Sequence, residues 1–198
     1  MIAARRLLLA CIGAMACASW AQRPDCPKRG VPMPARPPQM PQQALPTDAV
    51  FNAEEGHVSA ILNMERSLKA GPVPEAAAGI ATDVSKTPLA QWSYEGYLPE
   101  RVPNRVSRFF RSPDGALLAM GEWDYKPDIG DVQFPGMNNA NVAGRPAGLF
   151  SLRSPSGCVS TILSWKDDRK LYRLEIAGPI DMQRQRQTLT NIAESVAR

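Results

Sequence analysis

From Leu89 to Ile176 the apolar residues fall mostly on alternate positions, the period of a strand buried on one face. Trp92, Tyr94 and Leu98 alternate with Gln91, Ser93 and Glu95. Val106 to Arg111 is a short β-like run, and Leu117, Ala119, Gly121, Trp123 and Tyr125 share one face of the next. Ser112-Pro113-Asp114-Gly115 lies between these two runs. Proline presets φ there and glycine accepts a positive φ, so the spacing predicts a hairpin. Ala147 to Leu152 and then Val159, Thr161, Leu163 and Trp165 form a second pair, joined by Ser154-Pro155-Ser156-Gly157. Asp167-Asp168 turns the chain into Tyr172, Leu174 and Ile176, and Gly178-Pro179 closes the strand region.

Helical spacing flanks the strands. Residues 47–70 read as one helix, with Val58, Ile61, Leu62, Met64 and Leu68 near a common face. Asn52 is placed to cap it, Glu54 and Glu55 lie in its first turn, and Gly71-Pro72 stops it. Residues 71–88, rich in Pro, Gly and Ala, break that pattern. The last helix starts at Asp181 and aligns Met182, Leu189, Ile192, Ala193 and Val196, with Arg184, Arg186 and Gln187 toward water. The order predicts an α+β fold: an antiparallel sheet of about five to six strands packed against an N-terminal and a C-terminal helix.

The first residues add an address. Arg5 and Arg6 precede an apolar run from Leu7 to Ala16, and Ser19-Trp20-Ala21 puts small residues three and one positions before Gln22. This is the pattern of a secretory leader over 1–21, with Cys17 as an alternative, lipidated start. Residues 22–46 hold eight of the nineteen prolines and read as an extended arm. The globular domain is then 47–198. Loss of the leader lowers the formal charge from +4 to +2 by removing Arg5 and Arg6. No basic stripe or reading motif points to nucleic acid, and no second apolar run is long enough to span a bilayer. The expected location is the periplasm or the exterior.

Composition then limits the chemistry. Of the four cysteines, Cys26 and Cys158 follow the leader. In an oxidising compartment the two readings are a Cys26–Cys158 disulfide and two separate thiols. The single histidine, His57, excludes a site built on several histidines and reads as a surface or helix-end residue. Ser156-Gly157-Cys158 follows a turn motif and lacks a nucleophile elbow. Asp124, Asp128, Asp131, Asn138, Asn139 and Asn141 gather hard oxygen ligands without the spacing of a calcium loop. The same region, 126–146, is long for a compact domain, as binding loops often are. Ile129, Val132, Phe134, Met137, Asn138 and Asn139 would form its contact surface for a protein partner. Nothing calls for a cofactor, a resident metal or catalysis.

One resemblance extends this reading. Gly144, Pro146 and Ala147 open a strand pair that ends in Leu163-x-Trp165. The turn at Asp167 and Asp168, Tyr172-x-Leu174, Gly178 and the helix ending Ile192 to Val196 follow. Residues 142–197 thereby resemble the small extracytoplasmic domain of unknown function found in bacterial anti-sigma-like and related envelope sensor proteins. The resemblance implies a sensing or binding module without catalytic residues. The membrane helix and sigma-binding segment usual in that family are not found in this sequence, a departure that argues against a direct sigma-factor role. The expectation is a non-enzymatic, exported binding module of the envelope, as an accessory, sensor or immunity-type protein. The alternative is a carrier that holds an apolar ligand or lipid between sheet and helices, which requires a cavity of several hundred Å³, on the order of other ligand pockets.

Overall fold

The computed structural model describes residues 46, 48–100, 104–125 and 139–198. The leader, nearly all of the arm, Cys26 and the stretch 126–138 lie outside these. Among the described residues no helix is long and apolar enough to cross a membrane.

One sheet holds the eight strands β1 (Val50–Asn52), β2 (Ser93–Leu98), β3 (Arg105–Arg111), β4 (Leu117–Asp124), β5 (Ala140–Val142), β6 (Arg145–Arg153), β7 (Val159–Lys166) and β8 (Lys170–Ala177). Their spatial order is β1-β6-β7-β8-β4-β3-β2, with β5 on β6 as well. Every pairing is antiparallel except that of β1 with β6. Among the described residues the α-helices are α1 (Glu55–Val58), α2 (Ala60–Met64), α3 (Glu75–Ala78) and α4 (Met182–Val196). The α+β class and the C-terminal helix are as expected.

Two details of the expected architecture are corrected. The sheet has eight strands, not five to six, because β1 and β5 are three residues long and too short to show alternation. Both fill the outer edge of β6, where unpaired backbone groups would otherwise face water. The expected helix over 47–70 does not form as one element. Val50 and Phe51 pair with Ser151 and Leu152 instead, as suits β-branched and aromatic residues. Helix begins only at Glu55, breaks at Ser59 and ends in a 3₁₀ turn over Glu65–Ser67. The Ser59 hydroxyl donates to Glu55 O at 2.6 Å at that break, a local bond that competes with regular helix.

Both proline turns form as read. Gly115 (φ 84°) and Gly157 (φ 87°) take positive φ, and their N–H groups donate to Ser112 O and Ser154 O, each at 2.9 Å. A third tight turn, Ala143-Gly144 between β5 and β6, has φ 49° and 82°. Asn141 stabilises it by accepting from the Gly144 N–H at 2.7 Å.

The sheet separates two layers. On the α4 face, Leu118, Met120, Leu163, Trp165, Leu174 and Ile176 meet Leu189, Ile192 and Ala193 in one continuous core. Trp165 and Tyr172 stack there with centroids 4.8 Å apart. The Asp181 carboxylate caps α4 by accepting from the Arg184 N–H at 2.9 Å. Segment 80–92 covers the rest of this face: Leu89 belongs to the core, and Val84 and Trp92 pack against it. A buried Arg108–Glu122 pair at 2.8 Å anchors the segment. Arg108 donates to Thr82 O at 2.7 Å, and the Thr82 N–H donates to Glu122 at 2.8 Å. On the opposite face, α1 and α2 cover only part of the sheet.

Candidate functional site

Strand register lays out the partly covered face row by row. Leu152, Ser160, Ala177, Leu117 and Arg111 form the first row, crossing β6, β7, β8, β4 and β3. Phe150, Ile162, Glu175, Ala119 and Phe109 form the second, and Gly148, Ser164, Arg173, Gly121 and Ser107 the third. A fourth carries Lys166, Leu171, Trp123 and Arg105. The apolar side of α1–α2 packs where Val58 meets Leu152 and Cys158, and where Ile61 meets Phe109, Leu117 and Ala177. These are two separate clusters rather than one core.

Between and below them lies a cavity of about 470 Å³. Its roof is His57, Ala60, Ile61 and Met64; its floor is the second row, Leu152 of the first, and Arg173, Gly121 and Ser107 of the third, ending at Leu98 and Glu100. From β6 to β2 it crosses five steps of the sheet, roughly 24 Å at about 4.8 Å per step. The volume exists because Ala119 and Gly121 are small where the opposing helical segment is short. A Cβ built on Gly121 would meet nothing closer than 3.7 Å.

Polar groups sit at defined points on this surface. Glu175 is buried in the floor, accepting from Ser160 Oγ at 3.2 Å and from Arg173 at 2.9 Å. The Arg173 side chain is 53% exposed. At the β2 end, Ser107 Oγ donates to Glu100 at 2.6 Å. That serine proton is therefore directed at a carboxylate. On the fourth row, the Arg105 guanidinium lies 4.1 Å from the Trp123 ring centroid, as a cation over a π face. This row lies beyond the lining of the cavity.

The sequence-read candidates distribute unevenly. His57, expected at a surface or helix end, is on α1 and lines the cavity with Glu100, Ser107 and Glu175. Cys158 is 2% exposed, beneath Val58 and beside Phe150 and Ile162; its expected partner Cys26 lies outside the described residues. So do Ile129, Val132, Phe134, Met137 and Asn138 of the expected contact loop. Asn139 is used internally: its side-chain amide exchanges two 2.8 Å hydrogen bonds with the backbone of Leu149 and donates to Pro46 O at 2.8 Å. It bridges the gap on the edge of β6 between β5 and β1, imitating a strand residue.

The oxygen-ligand cluster is equally committed where it is described. Asp124 is buried and bonds Arg169 Nε at 2.6 Å, while Asn141 holds the Ala143-Gly144 turn. Asp128 and Asp131 lie outside the described residues. Among the described residues no group of three His, Cys, Asp or Glu converges as metal ligands.

Sequence reasoning missed Ser107, Glu100, Arg173 and Glu175. One signal was present: Glu175 falls on the same strand face as Arg173 and Ala177, a charged position inside an alternating apolar run. No protein-family model, curated protein or solved structure matches this chain.

Proposed function

We propose that this chain is an exported binding module that holds an apolar chain, without transforming it, between the α1–α2 segment and the sheet. The single observation that carries the reading is the 470 Å³ cavity, roofed by Ala60, Ile61 and Met64 and floored by Phe109, Ala119, Phe150 and Ile162. That volume falls within the roughly 300–1,000 Å³ typical of small-molecule sites. Its lining is apolar with a few fixed polar groups, the composition such sites use for affinity and orientation. The leader pattern of 1–21 supports export. The reading places a binding surface on the sheet, where the lining is described; of the expected contact residues in the 126–146 loop only Asn139 is described, and it is engaged with β6. It assigns no reaction to the His57, Glu100, Ser107 and Glu175 side chains that line the cavity.

Titration calorimetry of the full chain with 1-dodecanol tests it. Saturable, one-to-one binding is expected, and Ala119→Phe, which projects a ring into the cavity, should abolish it while leaving the melting transition cooperative. A wild-type protein that takes up no dodecanol, or an Ala119→Phe protein that binds it equally well, overturns the reading.

A further inference from the structure

We infer that the ligand is a single-chain amphiphile with an anionic head, and that Arg173 holds that head at the open edge of the cavity. The inference rests on the binding reading above and adds the sign of the ligand's charge. Four charged or titratable side chains line the cavity: His57, Glu100, Arg173 and Glu175. Both carboxylates already accept hydrogen bonds from the protein, Glu175 from Ser160 and Arg173, and Glu100 from Ser107.

Arg173 differs from them. Its guanidinium carries five N–H donors. The bond to Glu175, two residues along the same strand face, fixes its direction, while more than half of the side chain remains open to solvent. A planar donor fork oriented in advance suits a carboxylate or phosphate group.

The surroundings agree in sign and in shape. Arg173 lies in register with Ser164 on one side and Gly121 on the other, so the floor beside it is low enough to seat a head group. The next row away from α2 carries Lys166 and Arg105. The apolar lining lies on the other side, toward Phe109, Phe150 and Ile162. Crossing the third row, the surface thus gains the cations Lys166 and Arg105, which flank Leu171 and Trp123. That arrangement matches an acyl chain under the helices with its negative end emerging at Arg173. Two head chemistries, carboxylate and phosphate, share this recognition.

Four probes of equal chain length separate the possibilities on the full protein: dodecanol, dodecanoate, dodecyl phosphate and dodecylammonium. Dodecanoate or dodecyl phosphate should bind about tenfold tighter than dodecylammonium, on the order expected for one charge-assisted contact, and the stronger of the two anions identifies the head. Arg173→Gln should remove the preference for the two anions over dodecylammonium. Ser164→Asp, which sets a carboxylate beside the same seat without touching the Arg173–Glu175 pair, should weaken both anions selectively. Dodecylammonium binding as tightly as the anions, or an anion preference that survives both substitutions, overturns the inference while dodecanol binding still upholds the cavity. If dodecanol also fails to bind, the cavity reading falls and this one with it.

Discussion

The two faces of the sheet come from the same alternating strands yet are finished in different ways. On the α4 face one contiguous core runs from Leu89 through Trp165 to Ile192, and several of the polar groups admitted there bond one another. Thr161 donates to Gln185 at 2.8 Å, Thr161 and Ser151 share a 3.0 Å bond, and Gln185 donates to Val159 O and Ile180 O. On the other face the apolar residues split into two clusters with a cavity between and below them. The difference lies in the covering elements. α4 is 15 residues long, whereas α1 and α2 have four and five. Among the described residues one face is thus filled and the other half-covered.

Truncation of large side chains gives the widest separation between the faces. Trp165→Ala removes a fully buried indole stacked on Tyr172 and should cost about 3–5 kcal/mol. Met64→Ala, at the cavity roof, removes a half-buried side chain that already borders empty space, and about 1 kcal/mol is expected. Urea denaturation measures both. Equal losses would mean that the cavity is filled by packing in solution.

The ion pairs sharpen the same contrast. Arg108–Glu122 is buried on both sides, with side-chain exposures of 9% and 0%. Glu122→Gln leaves a buried guanidinium without its counter-charge and should cost about 3 kcal/mol. Glu175→Gln leaves Arg173, which is half in water, so its cost should stay near 1 kcal/mol. A larger loss at Glu175 than at Glu122 would make the cavity floor a structural keystone rather than a recognition surface.

The strands and the cap were legible because their signals are local. The alternation of Leu117 to Tyr125, the Ser-Pro-x-Gly turns and the Asp181 cap depend on neighbours within a few residues. β1 and β5 were not, because three-residue strands exist only through the edge of β6. Nor was the Ala143-Gly144 turn, since alanine carries no turn preference and Asn141 supplies the missing stabilisation from outside the turn. The cavity was invisible for a further reason. It depends on which rows of the sheet the short helical segment fails to reach, a property of tertiary placement, and the residues lining it are spread from position 57 to position 175. His57 shows the limit most clearly: no motif marks it, yet the fold sets it on the cavity wall.

A backbone test probes the helical side of the partly covered face. Gly96 has φ +128°, and a Cβ there would lie 2.4 Å from Lys69 O. Lys69 and Tyr97 exchange backbone bonds of 2.8 and 3.1 Å, tying the end of the helical segment to the edge strand β2. Gly96→Ala should break that bridge and cost about 1–3 kcal/mol. Hydrogen exchange should then accelerate at Lys69 and Tyr97 while amides of α4 stay protected. Uniform acceleration across both faces would show that the faces unfold together.

Acid provides the smallest and most local comparison, because each side of the sheet has a partly tied carboxyl held below its ordinary range. Burial alone would raise Asp167, but N–H bonds from Lys170 and Arg169, the Tyr172 hydroxyl and the charge of Arg145 outweigh it. Burial would likewise raise Glu55, which ties α1 to the β6–β7 turn, yet bonds from Ser156 and Ser154 lower it. A carboxyl with a depressed folded pKa adds stability above its unfolded value, near 4, and loses it as pH falls through the folded value. Wild-type stability should therefore decline below about pH 4. Asp167→Asn should flatten more of that decline than Glu55→Gln, because Asp167 gathers two N–H donors, a hydroxyl and a guanidinium charge. Denaturant midpoints followed from pH 6 to pH 2 would show the order, and a larger flattening from Glu55→Gln would place the stronger acid-sensitive tie under α1, on the side of the cavity.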